Sequence, residues 1–312
     1  MRHLPTVLAM AAMLWVPAAS AERFRTGDLI IAFTVGDGFD VPATGKICEF
    51  SPDGLLVQEF YAGGVLAFDL KFSPSGILHA AGGSQILRFA SDGTPLTPLH
   101  GPSGDFMFSL AFDRNGRLFA TTLYGRVVRF GADGTLLGGT SLSGVLDTKW
   151  ADLGADQCTL YHLRNPLPQI GRFDVCTNTS SAPLATTLGD SGRTLLVLAD
   201  GTLLVSGYAG EMYRVRQDGT VLRHYATHAN AYARDSSPNF VWVNTGAKVA
   251  KFDLENDVFA TVPFDAGVGV VSGITVVGAD VPTIPALSPL VLTLAGLILA
   301  VSAVARLHMS GS

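Results

Sequence analysis

A segment that ends in an aromatic or apolar anchor residue recurs through most of the 312-residue chain. Successive anchors lie 37 to 43 residues apart, at Phe50, Phe89, Phe130, Phe173, Val215 and Phe252. A repeat of about forty residues is typical either of helical solenoids or of β-propeller blades, which contain four strands each. The repeat therefore restricts the fold to a few architectures, and the local sequence pattern has to distinguish them.

The local pattern favours strands over helices. In residues 47–50 and their equivalents, apolar and polar side chains alternate with a period of two. Asp-Gly follows the anchor in four of the six copies, which predicts a two-residue hairpin turn of type I′. A second turn sequence recurs out of phase, in residues 72–78, 112–118 and 197–203. Two hairpins in each repeat predict a blade of four antiparallel strands.

The two ends of the repeat region predict how a ring of blades closes. Residues 29–33 resemble the second strand of a blade, and residues 269–277 resemble a first strand with no blade after it. If both strands belong to one blade, the ring closes without an open sheet edge. We therefore expect an all-β protein, a six-bladed β-propeller of four-stranded antiparallel blades, with one domain over residues 22–279.

The first 21 residues have the layout of a secretory signal peptide. A basic start precedes an apolar run over residues 4–16, and the small residues 18–21 match a cleavage site. The run is too short, and wrongly flanked, for a lasting transmembrane helix. We expect cleavage between Ala21 and Glu22 and export of the mature chain.

Residues 280–312 differ from the repeat region in composition. Residues 286–305 carry no charge, and this length is enough to cross a bilayer as a helix. Arg306 follows the run and forms a short basic end that would face the cytoplasm. Prolines before the run separate it from the globular part. The sequence therefore predicts a C-terminal transmembrane helix that anchors the protein at least transiently.

The residues before this helix carry a recognisable motif. Pro282, Thr283, Ile284 and Pro285 introduce the apolar run, and the whole segment resembles the IPTL-type C-terminal sorting tails of Gram-negative bacteria. Those tails are similar in plan to the PEP-type tails that exosortases process. The Trp-Gly pair common after the proline motif is missing here, and the basic end is one arginine and one histidine. The resemblance implies a C-terminal processing machinery of exosortase type as a partner.

The repeat region also resembles a known group. Residues 26–278 are similar to the six-bladed NHL-like and gluconolactonase-like propellers of secreted bacterial proteins. Residues 152–161 and 171–176 look especially like a repeat seen in such exported proteins. Families with this fold carry out many unrelated functions, so the resemblance implies the fold and an exported location but no particular activity.

The chain contains three cysteines, Cys48, Cys158 and Cys176. If the strands around residues 164–168 pair, Cys158 and Cys176 fall nearly opposite each other, within disulfide distance. An exported chain meets an oxidising compartment, which permits the bond, although two buried thiols are the alternative. Cys48 stands where other repeats have apolar residues, so we expect it to be a buried thiol.

Any ligand site of a propeller would be expected in the central channel, which the inner strands line. Alignment of the repeats places six side chains there: Asp69, Ser109, Lys149, Thr194, Arg234 and Asp235. Lactonase-type propellers, which the chain resembles, hold a divalent metal at this place with several oxygen ligands. Only one position here is a clear carboxylate, so we predict no metal site and no cofactor.

Catalytic motifs give no support for an enzyme. Propellers of the streptogramin-lyase type use a histidine base and a metal, and His228 is the one well-placed histidine, but the sequence offers it no partner. Gly-x-Ser-x-Gly and His-Glu-x-x-His are absent from the sequence. The Asp-Gly pairs lack the spaced oxygen ligands of a calcium loop, and turn formation explains them. We therefore predict no catalytic residue.

Charge and location restrict the partners. The net charge is −5 and only 15% of the residues are charged, with no basic stripe, so nucleic acid is not expected. We expect a non-catalytic binding propeller in the periplasm or at the cell surface, with an envelope or extracellular protein or a glycan as its ligand. A metal-dependent hydrolase or lyase acting at the channel is the alternative. A structural module within a surface matrix is a third possibility.

Overall fold

The computed structural model describes residues 23–35, 44–142, 145, 148, 150–164, 167–184, 188, 192–207, 211–227, 229–246, 248–267 and 269–279. The predicted signal peptide, its cleavage site, the sorting motif and the predicted transmembrane helix lie outside these residues. Within the described ranges, no helix is both long and apolar enough to cross a bilayer.

The described chain forms six antiparallel sheets, which we number as blades in chain order. Blade 1 consists of β25 (Val270–Val276), β1 (Leu29–Val35), β2 (Thr44–Phe50) and β3 (Leu56–Gly63). Blade 2 consists of β4 (Asp69–Phe72), β5 (Leu78–Gly82), β6 (Gln85–Phe89) and β7 (Pro95–His100). Blade 3 consists of β8 (Met107–Phe112), β9 (Leu118–Thr122), β10 (Arg126–Phe130) and β11 (Leu136–Ser141).

The second half of the ring repeats this plan. Blade 4 consists of β12 (Ala151–Leu153), β13 (Thr159–Arg164), β14 (Gln169–Asp174) and β15 (Thr179–Ser181). Blade 5 consists of β16 (Gly192–Val197), β17 (Leu203–Gly207), β18 (Met212–Val215) and β19 (Val221–Tyr225). Blade 6 consists of β20 (Ala231–Arg234), β21 (Phe240–Asn244), β22 (Lys248–Asp253) and β23 (Val258–Phe259), and β24 (Phe264–Asp265) also pairs with β22.

The first strand of each blade lies innermost. The strands β4, β8, β12, β16, β20 and β25 contact one another in this order, and β25 contacts β4, so the six inner strands surround one axis. Blade 1 takes its inner strand from the C-terminal end of the repeat region, with Leu29 opposite Val276 and Ile31 opposite Ile274. The structure therefore confirms the six-bladed propeller and its closure by the two ends of the repeat region.

Apolar faces of neighbouring blades pack against each other and form the core. The five aromatic anchors of the repeat are at most 5% exposed, and Val215 is fully buried. Each anchor is the last or next-to-last residue of the third strand and pairs with the first or second residue of the second strand, as Phe89 does with Leu78. Since successive blades bury the same positions, the forty-residue period of the sequence becomes the period of the core.

The Asp-Gly turns differ from the predicted type I′ hairpins. A type I′ turn requires positive φ at two successive residues. In the turn after Phe89 only Gly93 has positive φ, at 81°, and the other three Asp-Gly turns likewise have positive φ at glycine alone. Asp92 Oδ1 instead accepts a hydrogen bond from Thr94 N at 2.9 Å. The loop contains one residue more than a two-residue hairpin turn. In it, the aspartate carboxylate accepts from the backbone N–H two residues further along the chain.

The cysteine predictions are confirmed. Cys158 and Cys176 form a disulfide with a Cα–Cα distance of 5.2 Å, across the end of the β13–β14 hairpin. Cys48 is a buried free cysteine in the core of blade 1. Burial raises the pKa of the Cys48 thiol to about 11, so it remains protonated at neutral pH.

Candidate functional site

The strand registers show which residues are equivalent around the channel. Equivalent residues lie three positions before the last residue of the inner strand that pairs with the second strand. By this rule Asp69 of blade 2 corresponds to Ser109 of blade 3 and Thr194 of blade 5. In blade 4 the equivalent is Trp150, because Leu153 pairs with Leu160. The predicted Lys149 was therefore one residue out of register, and it lies outside the described residues.

Asp69 links blades 2 and 3. Its Oδ2 accepts hydrogen bonds from Ser109 Oγ at 2.7 Å and from Leu110 N at 2.8 Å, and its Oδ1 accepts one from Leu70 N at 2.9 Å. Burial raises the pKa of the carboxyl group to about 6, against the opposing effects of Lys71 and of these hydrogen bonds. Both carboxylate oxygens are thus engaged by backbone and side chain groups of the inner strands.

Ser109 continues the chain of contacts to blade 4. Its hydroxyl oxygen accepts from Ala151 N at 3.2 Å and lies 3.1 Å from Ala151 O, while its one proton is directed to Asp69 Oδ2 at 2.7 Å. Inner strands expose backbone groups towards the axis, because no further strand pairs with that edge. Ser109 satisfies the Ala151 N–H of this edge and links it to Asp69, so its position has a structural explanation.

Asp152, which the sequence analysis did not propose as a channel residue, forms the second acidic centre. It is 4% exposed, and its Oδ2 accepts a hydrogen bond from Val197 N of blade 5 at 2.9 Å. Arg234 of blade 6 donates from Nη2 to the same oxygen and from Nε to Val197 O at 2.9 Å. Counting back from the anchor Phe173 through the two strand pairs would have placed Asp152 on the inner strand.

Arg234 and Asp235 have different surroundings from those predicted. Arg234 ends β20 and lies three positions from the Asp69 equivalent, which is Ala231. Asp235 is held within blade 6, where its Oδ2 accepts from Trp242 Nε1 at 3.0 Å and lies 3.0 Å from Lys251 Nζ. The structure therefore does not bring Asp235 to Asp69, because the chain has already left the inner strand at this residue.

The remaining candidates add no further group to these contacts. Thr194 is 1% exposed on β16. His228 lies outside the described residues, as Lys149 does. Two histidines that the sequence analysis did not single out are buried instead, and burial lowers the pKa of both His79 and His162 to about 4. His162 packs on Gly171 of the neighbouring strand, where a Cβ would lie 2.2 Å from its ring.

Aromatic side chains gather near the start of the inner strands of blades 2 to 4. Phe68 stacks on Phe108 with ring centroids 4.5 Å apart, Phe106 lies 5.6 Å from Phe68, and Trp150 contacts Phe108 edge-on at 5.5 Å. All four side chains are partly exposed. We call Phe68, Phe106, Phe108 and Trp150 the aromatic mouth, because they lie next to the strands that surround the axis.

A metal site has little support among the described residues. Within them, one group of three potential ligands has its ligand atoms within 4.8 Å of one another, namely Cys158, Asp174 and Cys176. The two sulfurs of this group are bonded to each other. Asp69 and Asp152 direct their oxygens to backbone donors of adjacent inner strands. The geometry provides a network that joins blades rather than a set of converging free oxygens.

Comparisons with known proteins identify the fold alone. The sequence matches no protein-family model and no curated protein. A protein of unknown function from Bacteroides caccae is 12% identical, with a TM-score of 0.65, over 81% of this chain and all of that one. A chain from a nidogen/laminin complex is 15% identical, with a TM-score of 0.63, over 80% of this chain and 98% of that one.

A further structural match is a catalytically inactive variant of virginiamycin B lyase from Staphylococcus aureus, with quinupristin. It is 13% identical, with a TM-score of 0.56, over 77% of this chain and 85% of that one. At such identities the likeness supports the propeller architecture and gives no information about chemistry.

Proposed function

We propose that this protein is an exported propeller, anchored in the cell envelope or at the surface, that binds a ligand without catalysis through the aromatic mouth. The ligand would be an envelope or extracellular protein or a glycan. Export and anchoring rest on the sequence of residues 1–21 and 280–312, and the disulfide is consistent with an oxidising compartment.

The observation that carries the proposal is the contrast between the polar groups near the axis and the aromatic groups beside them. Asp69, Ser109, Asp152 and Arg234 bond to neighbouring inner strands. A general base or a metal ligand has to direct a free atom to the substrate. The aromatic mouth, in contrast, presents partly exposed rings, and such rings supply much of the energy of binding interfaces.

The known proteins with this architecture are consistent with more than one function. The nidogen/laminin structure is a complex of proteins, which is consistent with a binding role for a propeller of this kind. The virginiamycin B lyase structure supports the alternative of a lyase or hydrolase at the channel. Because identity is below 16% in both cases, an experiment has to decide between them.

The proposal is tested by co-sedimentation of the purified full-length chain with cell-envelope fragments from a Gram-negative bacterium. We expect Phe108→Ala to lower the bound fraction about tenfold, since it removes the ring that both Phe68 and Trp150 contact. Leu137→Ala is the matched control, because Leu137 is 54% exposed on β11, away from the mouth. Equal binding of Phe108→Ala and the original chain would contradict the role of the mouth.

A calorimetric titration with Ca²⁺, Mg²⁺, Mn²⁺ and Zn²⁺ tests the enzymatic alternative. We expect no saturable binding of these ions by the full-length chain. Tight one-to-one binding that Asp69→Ala abolishes, in a variant with unchanged circular dichroism, would make a metal-dependent hydrolase or lyase the better explanation.

A further inference from the structure

The boundary between blades 1 and 2 is filled by the chain's own N-terminal segment. Phe24 inserts its ring between Phe60 of β3, 5.1 Å away, and Phe72 of β4, 6.1 Å away. The backbone of this segment is also bound, since Phe24 N donates to Ser91 O at 2.7 Å. The segment therefore occupies this boundary with one aromatic side chain inserted and with its backbone bound to blade 2.

A buried acid holds the next residue of the segment. Arg25 N donates to Glu49 Oε1 at 3.0 Å, and Gln58 Nε2 donates to Glu49 Oε2 at 2.7 Å. Glu49 is fully buried on β2, directly before the anchor Phe50. An acid at this position is thus satisfied by a backbone donor of the inserted segment and by a side-chain amide.

The same repeat positions form an open groove between blades 2 and 3. Phe112 replaces Phe72 at the end of the next inner strand, and Leu99 takes the place of Phe60 against the next blade, although its strand register matches Tyr61. The turn glycines confirm the equivalence, because a Cβ on Gly93 would meet Phe60 at 2.8 Å and one on Gly134 would meet Leu99 at 2.8 Å. The groove has a volume of about 320 Å³, at the lower end of the range for ligand pockets.

The charge at the base of this groove is reversed. Arg88 stands directly before the anchor Phe89, as Glu49 stands before Phe50. Its Nε is buried and finds no hydrogen-bond partner among the described residues, while its Nη1 lies 3.4 Å from Thr97 O. Arg114 lines the other wall. A buried Nε–H donor without an acceptor is costly, and a carboxylate is the acceptor that suits a guanidinium best.

We infer that the groove between blades 2 and 3 binds a short peptide segment of a partner protein, in which an aromatic residue is adjacent to an aspartate or glutamate. The aromatic ring would lie between Leu99 and Phe112, as Phe24 lies between Phe60 and Phe72. The carboxylate would accept from Arg88. A second copy of the N-terminal segment fits less well, because its aromatic residue is followed by Arg25.

This inference names a partner for the binding protein proposed above and rests on that proposal, but it uses a different surface. Phe112 and the turn over residues 73–77 lie at the end of the inner strands, whereas Phe108 of the aromatic mouth lies near the start of β8. The two surfaces can therefore be tested independently.

The test uses two fluorescein-labelled peptides, acetyl-Gly-Ser-Phe-Asp-Ser-Gly and its Phe-Lys counterpart, in anisotropy titrations with the full-length chain. We expect the Phe-Asp peptide to bind at least about tenfold more tightly than the Phe-Lys peptide. Arg88→Glu should reverse this preference, and Arg88→Gln, which is less disruptive to folding, should abolish it. Arg172→Glu is the matched control, since Arg172 holds the equivalent position in blade 4 and its Nε donates to Ala182 O at 2.8 Å.

Two outcomes overturn the inference. One is that neither peptide binds the original chain up to several millimolar. The other is that Arg88→Gln and the original chain prefer the Phe-Asp peptide equally. Either result leaves the proposed function standing if Phe108→Ala still lowers envelope binding. Metal binding that depends on Asp69 would instead refute the proposed function, whatever the peptides do.

Discussion

Blades 1 and 4 are reinforced in different ways. Blade 1 joins strands from the two ends of the described chain, and its inner strand β25 runs over seven residues with a seven-residue partner, β1. Blade 4 has an inner strand of three residues and an outer strand of three exposed residues, and a disulfide crosses its central hairpin. Blade 1, made of distant segments, is stabilised by the buried apolar side chains of its long strands. Blade 4, with short strands, is stabilised by a local covalent bond.

This difference predicts where the molecule is most easily opened. The pairing of β1 with β25 links residues about 240 apart, so its loss opens the ring as a whole. The disulfide links residues 18 apart, so its loss affects one hairpin. The three following experiments compare these regions, beginning with the largest expected effect.

The largest effect is expected in blade 1. Ile274 is 2% exposed on β25, and Ile274→Ala should lower the free energy of unfolding by about 4 kcal/mol, because it leaves a cavity beside the closing strands. Urea denaturation followed by tryptophan fluorescence measures the change. Val270→Ala on the same strand is the control, since Val270 is 56% exposed. A loss of unfolding free energy below about 1 kcal/mol for Ile274→Ala would mean that packing of the closing strand contributes little to the stability of the ring.

A somewhat smaller effect is expected in blade 4. The double variant Cys158→Ser, Cys176→Ser should lose about 3 kcal/mol, the value expected for a loop of this length. Reduction of the original chain with dithiothreitol is the control, because it breaks the same bond without replacing a side chain. Amide hydrogen exchange in the double variant should rise mainly in blade 4. An equal rise in all blades would show that the disulfide stabilises the whole ring, which would contradict the proposed difference between blades 1 and 4.

The smallest effect concerns the buried histidine of blade 4. The pKa of His162 is about 4 in the folded chain and about 6.5 when unfolded, so the unfolded state binds more protons between these values. The stability that His162 contributes is therefore complete above pH 6.5 and is lost as the pH falls to 4. His79 has the same sign, whereas Asp69, with its pKa raised to about 6, has the opposite one.

We expect His162→Gln to reduce the loss of stability between pH 6.5 and 4 by about 2 kcal/mol. Urea midpoints measured at half-unit pH intervals test this expectation. His224→Gln is the control, because the His224 side chain is 50% exposed. Identical pH profiles for His162→Gln and the original chain would show that His162 does not titrate in this window.

The channel shows where prediction from the sequence succeeds and where it fails. Asp69 and Ser109 follow the repeat closely, so alignment placed them on the inner strands. In blade 4 the alignment predicted Lys149, one residue before Trp150, and did not identify Asp152 on the inner strand. In blade 6 the alignment assigned Arg234 and Asp235 to a position that Ala231 holds. A register error of one or three residues moves a side chain to the other face of the strand.

The sequence alone determined the forty-residue repeat, the six blades, the closure by the two ends of the repeat region and the pairing of Cys158 with Cys176. These follow from local patterns, because the strand period and the apolar anchors repeat in every copy and the Asp-Gly turns in four of the six. Only the tertiary structure showed that Asp69 and Asp152 bond to the next blade, and that Phe24 fills one boundary while its equivalent stays open beside Arg88. Such contacts join residues about forty or more apart on facing sheets, and no local pattern specifies them.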